Sequence, residues 1–266
     1  MTGIRPKKRL GQHFLVSERI VNSIVELISA TSEQAIVEIG PGQGALTWPL
    51  SRTGARLIAV EFDRVLAAQL SREFEKNSNV TILNQDFLKF EPQSKDLDKF
   101  ILCGNLPYNI SSPVIDWTVK NRNRVTKAVF MLQKEVALRL TSSAGSKQWS
   151  PLAIFTQLYY DTKLCFTVSP QNFEPSPKVD SAVVTLDIKA EPEIKNAVKF
   201  ELLVRRSFKQ RRKLLLNNLV PDIISDSKTA ARIFMELGLG PKVRAEEIES
   251  SKFLELTEKL VSLKIL

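Results

Sequence analysis

Asn105-Leu106-Pro107-Tyr108 places an amide, a proline turn and an aromatic ring in four consecutive residues, a combination suited to a flat ring that carries an exocyclic amine. Such an amine has two N–H donors, and the Asn105 side-chain oxygen plus a neighbouring backbone carbonyl can accept both. Pro107 has no N–H and fixes its own φ, while Leu106 before it is pushed towards an extended conformation, so carbonyls here are free to turn outward. Tyr108 offers a face for stacking, worth roughly 1–3 kcal/mol for a nucleic-acid base. The plain alternative is a proline turn that closes a strand. Lys99-Phe100-Ile101-Leu102-Cys103-Gly104, just before, reads as a short buried strand, and open α/β sheets bind ligands at the carboxyl ends of such strands.

Three upstream strands must deliver the remaining groups. Ala35-Ile36-Val37-Glu38-Ile39 reads as a strand running into Gly40-Pro41-Gly42-Gln43-Gly44, after which Ala45 to Leu50 reads as the first turns of a helix. Glycines two apart let backbone turn tightly and come close to a ligand. Arg56-Leu57-Ile58-Ala59-Val60 forms a second strand ending on Glu61, placed to hold ribose hydroxyls, and Val80-Thr81-Ile82-Leu83 forms a third that leads to Asp86. Glu38, inside the first strand, is read as a hydrogen-bonding partner of local backbone. The spacing Gly-x-Gly-x-Gly departs from the dinucleotide fingerprint Gly-x-Gly-x-x-Gly, so no pyrophosphate cradle is written here.

These segments carry a resemblance. Glu38-Ile39-Gly40-Pro41-Gly42-Gln43-Gly44 is similar to the S-adenosylmethionine loop of class I methyltransferases. Asn105-Leu106-Pro107-Tyr108-Asn109-Ile110-Ser111-Ser112-Pro113 resembles the amino-methylating motif of the rRNA adenine N6-dimethyltransferases. Gly11-Gln12-His13-Phe14-Leu15 and Phe173-Glu174-Pro175-Ser176-Pro177-Lys178-Val179-Asp180-Ser181 match that family too. The resemblance spans essentially the whole chain and points to the small-subunit (16S) branch.

The resemblance implies S-adenosylmethionine as cofactor, held by His13, Leu15, Gly40, Gly42, Glu61, Asp86 and Asn105. Glu61 is expected on the ribose and Asp86 on the adenine amino group, with the segment around His13 closing over the methionine end. Asn105, Leu106, Pro107, Tyr108 and Phe173 are expected at the reacting base. The implied reaction dimethylates N6 of two adjacent adenosines in a hairpin loop near the 3′ end of 16S rRNA, in the immature small subunit, with a role in ribosome biogenesis. Two readings of Phe173 stay open: a second aromatic wall opposite Tyr108, or an apolar plug beneath a Pro-rich loop between β-rich runs at Lys163–Val168 and Ser181–Ile188. Lys178 reaches RNA phosphate or is merely solvated.

Composition bounds the alternatives. The chain has 266 residues and a formal net charge of +9, which favours an anionic partner. Cys103 and Cys165, in no metal-ligand spacing, suit a reducing cytosol, and a single histidine excludes a multi-histidine metal site. No metal, no membrane span, no signal peptide behind the basic residues Arg5, Lys7, Lys8 and Arg9, a monomer and a cytoplasmic location are expected. The expected architecture is α/β: a Rossmann-like methyltransferase domain over 1–189, with its basic N-terminal segment 1–15, a mostly parallel sheet and a C-terminal β-hairpin. A small all-α domain that contacts RNA follows over 190–266, the boundary falling near Lys189-Ala190-Glu191-Pro192-Glu193.

Within the second domain, Phe200 to Val220 reads as one helix, and Ala245 to Leu263 as another. On a helical wheel Phe200, Leu203, Val204, Phe208 and Leu215 share one face, while Arg205, Arg206, Lys209, Arg212 and Lys213 share the opposite one. Five cations without an anion favour phosphate contact over a merely solvated face. Arg211 falls on the apolar side. Three other functions remain as alternatives: a large-subunit (23S) rRNA adenine methyltransferase, an rRNA-binding assembly factor that needs no catalysis, and a nicotinamide-dependent oxidoreductase, which the glycine spacing disfavours.

Overall fold

A computed structural model describes residues 11–92, 97–190 and 194–266. The basic positions Arg5, Lys7, Lys8 and Arg9, and Glu191 to Glu193 of the expected boundary, lie outside the described residues. The chain divides into two units, one formed by the described part of Met1–Leu138 with Tyr159–Lys189, the other by Arg139–Leu158 with Ala190–Leu266. Arg139–Leu158, expected in the first domain, groups here with the residues after Lys189.

The first unit is built on β1 (Phe14–Leu15), α1 (Glu18–Ile28), β2 (Ala35–Ile39), α2 (Thr47–Ser51), β3 (Arg56–Glu61), α3 (Arg64–Glu73), β4 (Val80–Asn84), β5 (Phe100–Asn105), α4 (Ser111–Lys120) and β6 (Val125–Gln133). After α5 (Lys134–Leu140) and α6 (Pro151–Tyr159), within which the two divisions of the chain fall, come β7 (Tyr160–Val168), β8 (Phe173–Glu174) and β9 (Ser181–Ile188). The sheet order is β4-β3-β2-β5-β6-β9-β7. The five strands from β4 to β6 run parallel, and β9 and β7 close that edge antiparallel.

Sequence explains this order. Parallel strands are covered on both faces, so β2, β3 and β5 read as nearly unbroken apolar runs, and Ile36, Val37, Leu57, Ala59 and Leu102 are all fully buried. On α1, Ile20, Ile24 and Ile28 recur four apart and are all buried, one stripe facing the core, and the helix stops where Ser29 turns left-handed at φ 50°. Each aliphatic side chain buried in this way contributes roughly 1.5–3 kcal/mol.

The chain builds outward through β3 and β4, then returns to lay β5 on the other side of β2. That reversal opens a crevice at the carboxyl ends of β2 and β5. The two strands approach so closely there that a Cβ on Gly104 would lie 2.5 Å from the Ile39 carbonyl oxygen. Glycine at 104 is therefore a condition of the crevice's geometry.

In the second unit the expected single helix over Phe200–Val220 is broken: α7 covers Ala197–Ser207 and α8 Leu215–Leu219, with a turn between. Downstream lie α9 (Ser227–Glu236), a short 3-10 turn at Ala245–Glu247, and α10 (Ser250–Ser262). Two ties pull residues 208–214 out of helical continuity. Asn218 accepts from Gln210 N–H at 2.9 Å and donates to Gln210 O at 3.2 Å. Arg211 pairs with Glu246 at 3.1 Å and donates to the carbonyls of Trp149, at 2.8 Å, and Lys147. Arg211 thus knits its own unit together.

Candidate active site

The turn after β2 reverses the chain through Gly40, Gly42 and Gly44 at φ 61°, 59° and 84°. These left-handed values are strained for any residue with a Cβ. Gly40 N–H donates to Val60 O at 2.9 Å, binding the loop to the end of β3. A Cβ on Gly42 would lie 3.1 Å from the Phe14 ring, so the glycine also lets the N-terminal segment come close.

Glu61, at the end of β3, is 5 % exposed. Its Oε2 accepts from Gly42 N–H at 3.0 Å and its Oε1 from Asp63 N–H at 2.7 Å. Burial raises the Glu61 pKa, and those two backbone donors oppose the rise. The carboxylate orients the glycine loop and keeps one lone pair on each oxygen for a ligand. Asn84 braces the loop after β3, its amide donating to Glu61 O at 2.9 Å. Asp86 starts a 3-10 turn by accepting from Leu88 N–H at 3.0 Å through Oδ1.

At the end of β5, Leu106 N–H extends the sheet ladder to Met131 O at 2.9 Å. Pro107 O is taken by Ile110 N–H at 3.1 Å and by the Ser111 hydroxyl at 3.3 Å. Leu106 O accepts no hydrogen bond among the described residues, so it is free to accept one from a ligand, and Leu106 lines the cavity described below. Asn105 Nδ2 donates to His13 O at 2.9 Å, so its orientation is fixed with Oδ1 left to accept.

His13 packs its ring on Tyr108, centroids 5.6 Å apart and planes at 28°, and its Nδ1 lies 2.6 Å from Pro175 O. A carbonyl can only accept, so Nδ1 carries the proton. The N-terminal segment is pinned along its length, because β1 pairs antiparallel with β8, Phe14 opposite Glu174 and Leu15 opposite Phe173.

His13, Leu15, Gly40, Gly42, Glu61, Asp86, Asn105, Leu106, Pro107 and Tyr108 all line one cavity of about 290 Å3. Residues spread over the first half of the chain thus meet in one place. Phe173 does not line it. Its ring is 4 % exposed and packs in the core with Leu15, Ile20, Ile24 and Val183, the plug of the two readings, because the β1–β8 pairing folds it inward.

The expected basic helix face is also corrected. Lys209, Arg212 and Lys213 lie past the end of α7, exposed in the turn before α8. Arg205 pairs with Glu201 at 2.8 Å and lies 5.1 Å over the Phe155 ring, and Arg206 pairs with Asp222. The face therefore has anions. Lys178 is exposed in the loop before β9.

Glu38, Phe62 and Leu88 are among the lining residues that the sequence does not single out as ligand contacts. Phe62 and Leu88 are 61 % and 36 % exposed, apolar side chains that adjoin Glu61 and Asp86 in sequence. Large exposed apolar residues beside polar strand ends were the available signal. Glu38 is 1 % exposed, and its Oε2 has no hydrogen-bond partner, so it is not the backbone partner expected. Both neighbouring strands already take up the β2 backbone groups. Burial pushes the Glu38 carboxyl up to about 8; the nearby Thr47 hydroxyl opposes the rise without completing a hydrogen bond, since Oγ1 is itself unpartnered, and Glu61 adds to it.

Lined by the glycine loop, the carboxyl groups of Glu38, Glu61 and Asp86 and the Asn105 amide, the cavity can hold a flat, polar ligand. Among the described residues no group of His, Cys, Asp and Glu could hold a metal ion, and no helix is long and apolar enough to cross a membrane.

Comparison with known proteins agrees with the geometry. Ribosomal RNA small subunit methyltransferase A of Francisella tularensis (strain WY96-3418) is 40 % identical over 256 residues, covering 95 % of this chain and 96 % of that protein. A crystal structure of a dimethyladenosine transferase from Plasmodium falciparum superposes with a TM-score of 0.82 at 25 % identity, covering 94 % of this chain and 98 % of that one. The 23S rRNA methyltransferase ErmE superposes with 0.73 at 26 % identity, covering 93 % and 99 %. The family model described as ribosomal RNA adenine dimethylase matches residues 3–261, and with it the chain belongs to the ribosomal RNA adenine dimethylase family.

Proposed function

We propose that this protein transfers methyl groups from S-adenosylmethionine to N6 of two adjacent adenosines in a hairpin loop near the 3′ end of 16S rRNA, acting as a cytoplasmic monomer on the immature small subunit. The observation that carries the reading is the pair of acceptors at the end of β5: Asn105 Oδ1, oriented by its Nδ2 bond to His13 O, and the unengaged Leu106 O. Asn105 and Leu106 both line the cavity that Glu61 and the glycine loop also line.

The cavity's residues fit the donor. Gly40 and Gly42 bring backbone close, Glu61 keeps lone pairs for ribose hydroxyls, and Asp86 Oδ2 is left for an adenine amino group. Phe62 and Leu88 offer apolar surface to the faces of that purine. When bound, S-adenosylmethionine supplies an electrophilic methyl group on a sulfonium.

At the acceptor, the N6 lone pair is delocalised into the ring and is weakly nucleophilic. Asn105 Oδ1 and Leu106 O accept its two N–H bonds, which favours a pyramidal nitrogen and frees the lone pair. Tyr108 holds the base, taken out of its stack, so that nitrogen lies in line with the methyl group. Alignment of this kind removes several kcal/mol of barrier. After transfer the nitrogen carries the positive charge and releases its proton to water, so no dedicated base is required.

The small-subunit assignment rests on the 40 % identical relative, named for that subunit; similarity to ErmE, named for 23S rRNA, is lower in identity. The test is transfer of labelled methyl from S-adenosylmethionine to immature small and large subunits offered together, followed by mapping of the label. The expected product is two dimethylated adjacent adenosines. Label confined to large-subunit RNA, or subunit binding with no transfer, would falsify the proposal in favour of the 23S enzyme or the assembly factor.

Lys209, Arg212, Lys213 and Lys178 are the proposed phosphate ligands, with Arg205 and Arg206 contributing less because each already has an anionic partner. Charge reversal at Lys209, Arg212 and Lys213 together should weaken rRNA binding and flatten the slope of log K against log salt by roughly 0.7–0.9 for each phosphate no longer neutralised. Reversal at Arg205 or Arg206 should change the slope less. Titrations over a salt series that give the same slope for the triple variant and the parent return the turn to ordinary solvated surface.

A further inference from the structure

We propose that Ser181 is a positioning residue for methyl transfer: its hydroxyl holds the tip of Tyr108 and so sets the plane on which the acceptor base stacks. The inference rests on the reading of Tyr108 as the stacking ring.

Tyr108 lies in the turn after β5, where no strand pairing fixes its side chain. Its ring swings on two soft torsions, so a contact at the hydroxyl, the point farthest from the backbone, controls the plane most effectively. The Tyr108 hydroxyl lies 3.0 Å from Ser181 Oγ. Burial raises the Tyr108 pKa, so the phenol stays neutral and can donate or accept in that bond.

Ser181 is a firm foothold. It is fully buried and opens β9, where it lies opposite Gln133 of β6 on one side and Val168 of β7 on the other. Ser181 thus sits between two strands and links the free end of Tyr108 to the sheet interior.

The other contacts on the ring point the same way. His13 covers Tyr108 at 5.6 Å and is itself fixed through Nδ1 to Pro175 O. The His13 carbonyl takes the Asn105 amide. A chain of contacts therefore runs from Ser181 through Tyr108 and His13 to Asn105, joining the stacking ring to the group that accepts N6–H. Rotation of the ring would carry N6 away from Asn105 Oδ1 and out of line with the methyl group. Misplacement by about 1 Å in such a geometry costs on the order of 100-fold in rate.

The test is a double-mutant cycle in single-turnover methyl transfer to immature small subunits, using Ser181→Ala, Tyr108→Phe and the double variant. Each single change should lower the transfer rate by about 10- to 100-fold, while S-adenosylmethionine affinity stays within a few-fold. The double variant should be no slower than the slower single one. Additive losses, or a Ser181→Ala protein that transfers at the parental rate, would overturn the proposal. Should Ser181→Ala fail to fold, Tyr108→Phe removes the same bond from the exposed side, and a parental rate in that variant overturns it equally. Transfer by the parent with uncoupled variants sinks only the role of Ser181, whereas no transfer by the parent sinks the methyltransferase reading with it.

Discussion

Asn105→Ala should lower the single-turnover rate of methyl transfer by about 1,000-fold, while the dissociation constant for S-adenosylmethionine rises less than tenfold. The asymmetry follows from where the side chain acts. Its Nδ2 is bonded to His13 O, and its Oδ1 is the proposed acceptor, whose bond would strengthen as N6 becomes pyramidal and its hydrogens more positive. Removing one oriented polar group that answers charge developing in a transition state costs roughly 3–4 kcal/mol. The methyl donor loses a single proposed neighbour, because Gly40, Gly42, Glu61 and Asp86, its other proposed ligands, line the same cavity and are unchanged. Asn105→Asp separates the two functions of the amide: it keeps an acceptor but sets a carboxylate against the His13 carbonyl, so the N-terminal segment should loosen and donor affinity fall further than in the alanine variant. Calorimetry and rapid-quench transfer measured on the same preparations decide the matter. Equal loss of affinity and rate in Asn105→Ala would make Asn105 a donor ligand only.

Much of this site was legible in the sequence because of how parallel sheets are made. Strands buried on both faces appear as apolar runs, and the residue where each run stops is the residue at the crevice. Glu61 after Ala59-Val60, and Asn105 after Leu102-Cys103-Gly104, stand out for that reason. The glycine loop was legible because left-handed backbone requires glycine.

What stayed hidden depends on contacts between distant residues. The periodicity of Phe200, Leu203, Val204 and Leu215 runs without a proline or glycine through the 207–215 break, and nothing local ends the helix. It is broken by Asn218 bonding Gln210 and by Arg211 reaching Glu246 and the Trp149 carbonyl. Because of that break the five cations do not lie on one helix face. Phe173 is a similar case, since its wall and plug readings differ only in whether β8 pairs with β1, a two-residue ladder with no periodicity of its own. The assignment of Arg139–Leu158 to the helical unit was invisible as well: a run such as Thr141-Ser142-Ser143-Ala144-Gly145-Ser146 marks a turn, and composition does not say what the turn packs against.

Glu38 is the residue whose chemistry most exceeds what its place in a strand suggests, and Glu38→Gln should change the pH dependence of both stability and ligand binding. The carboxyl is buried with Oε2 unpartnered; Glu61 on β3 and Cys103 on β5 face it, burial and Glu38 both raising the Cys103 thiol well above its ordinary value, and Thr47 approaches from α2. None of these supplies a positive charge. In the folded protein the group holds its proton up to about 8, against an ordinary value of 4.5, so between those pH values the folded state binds a proton that the unfolded state has lost. The stabilisation from that proton is complete below about pH 4.5 and is lost as pH rises through 8. Glu61, also raised by burial, contributes in the same direction and remains in the variant. Glutamine keeps the shape without the titration, so denaturation midpoints of Glu38→Gln and the parent should agree near pH 5 and diverge towards pH 9. By then the variant should be the more stable, by roughly 3 to 5 kcal/mol. S-adenosylmethionine carries positive charge into the cavity that Glu38 lines, which favours the ionised carboxylate, so binding near pH 7 should expel up to one proton from the parent. Titration calorimetry in buffers of different ionisation enthalpy measures that proton directly, and Glu38→Gln should release fewer protons than the parent, any remainder coming from Glu61. Parallel stability curves together with equal proton release would show that Glu38 is ionised in the free protein, its charge met by a group other than those facing it here.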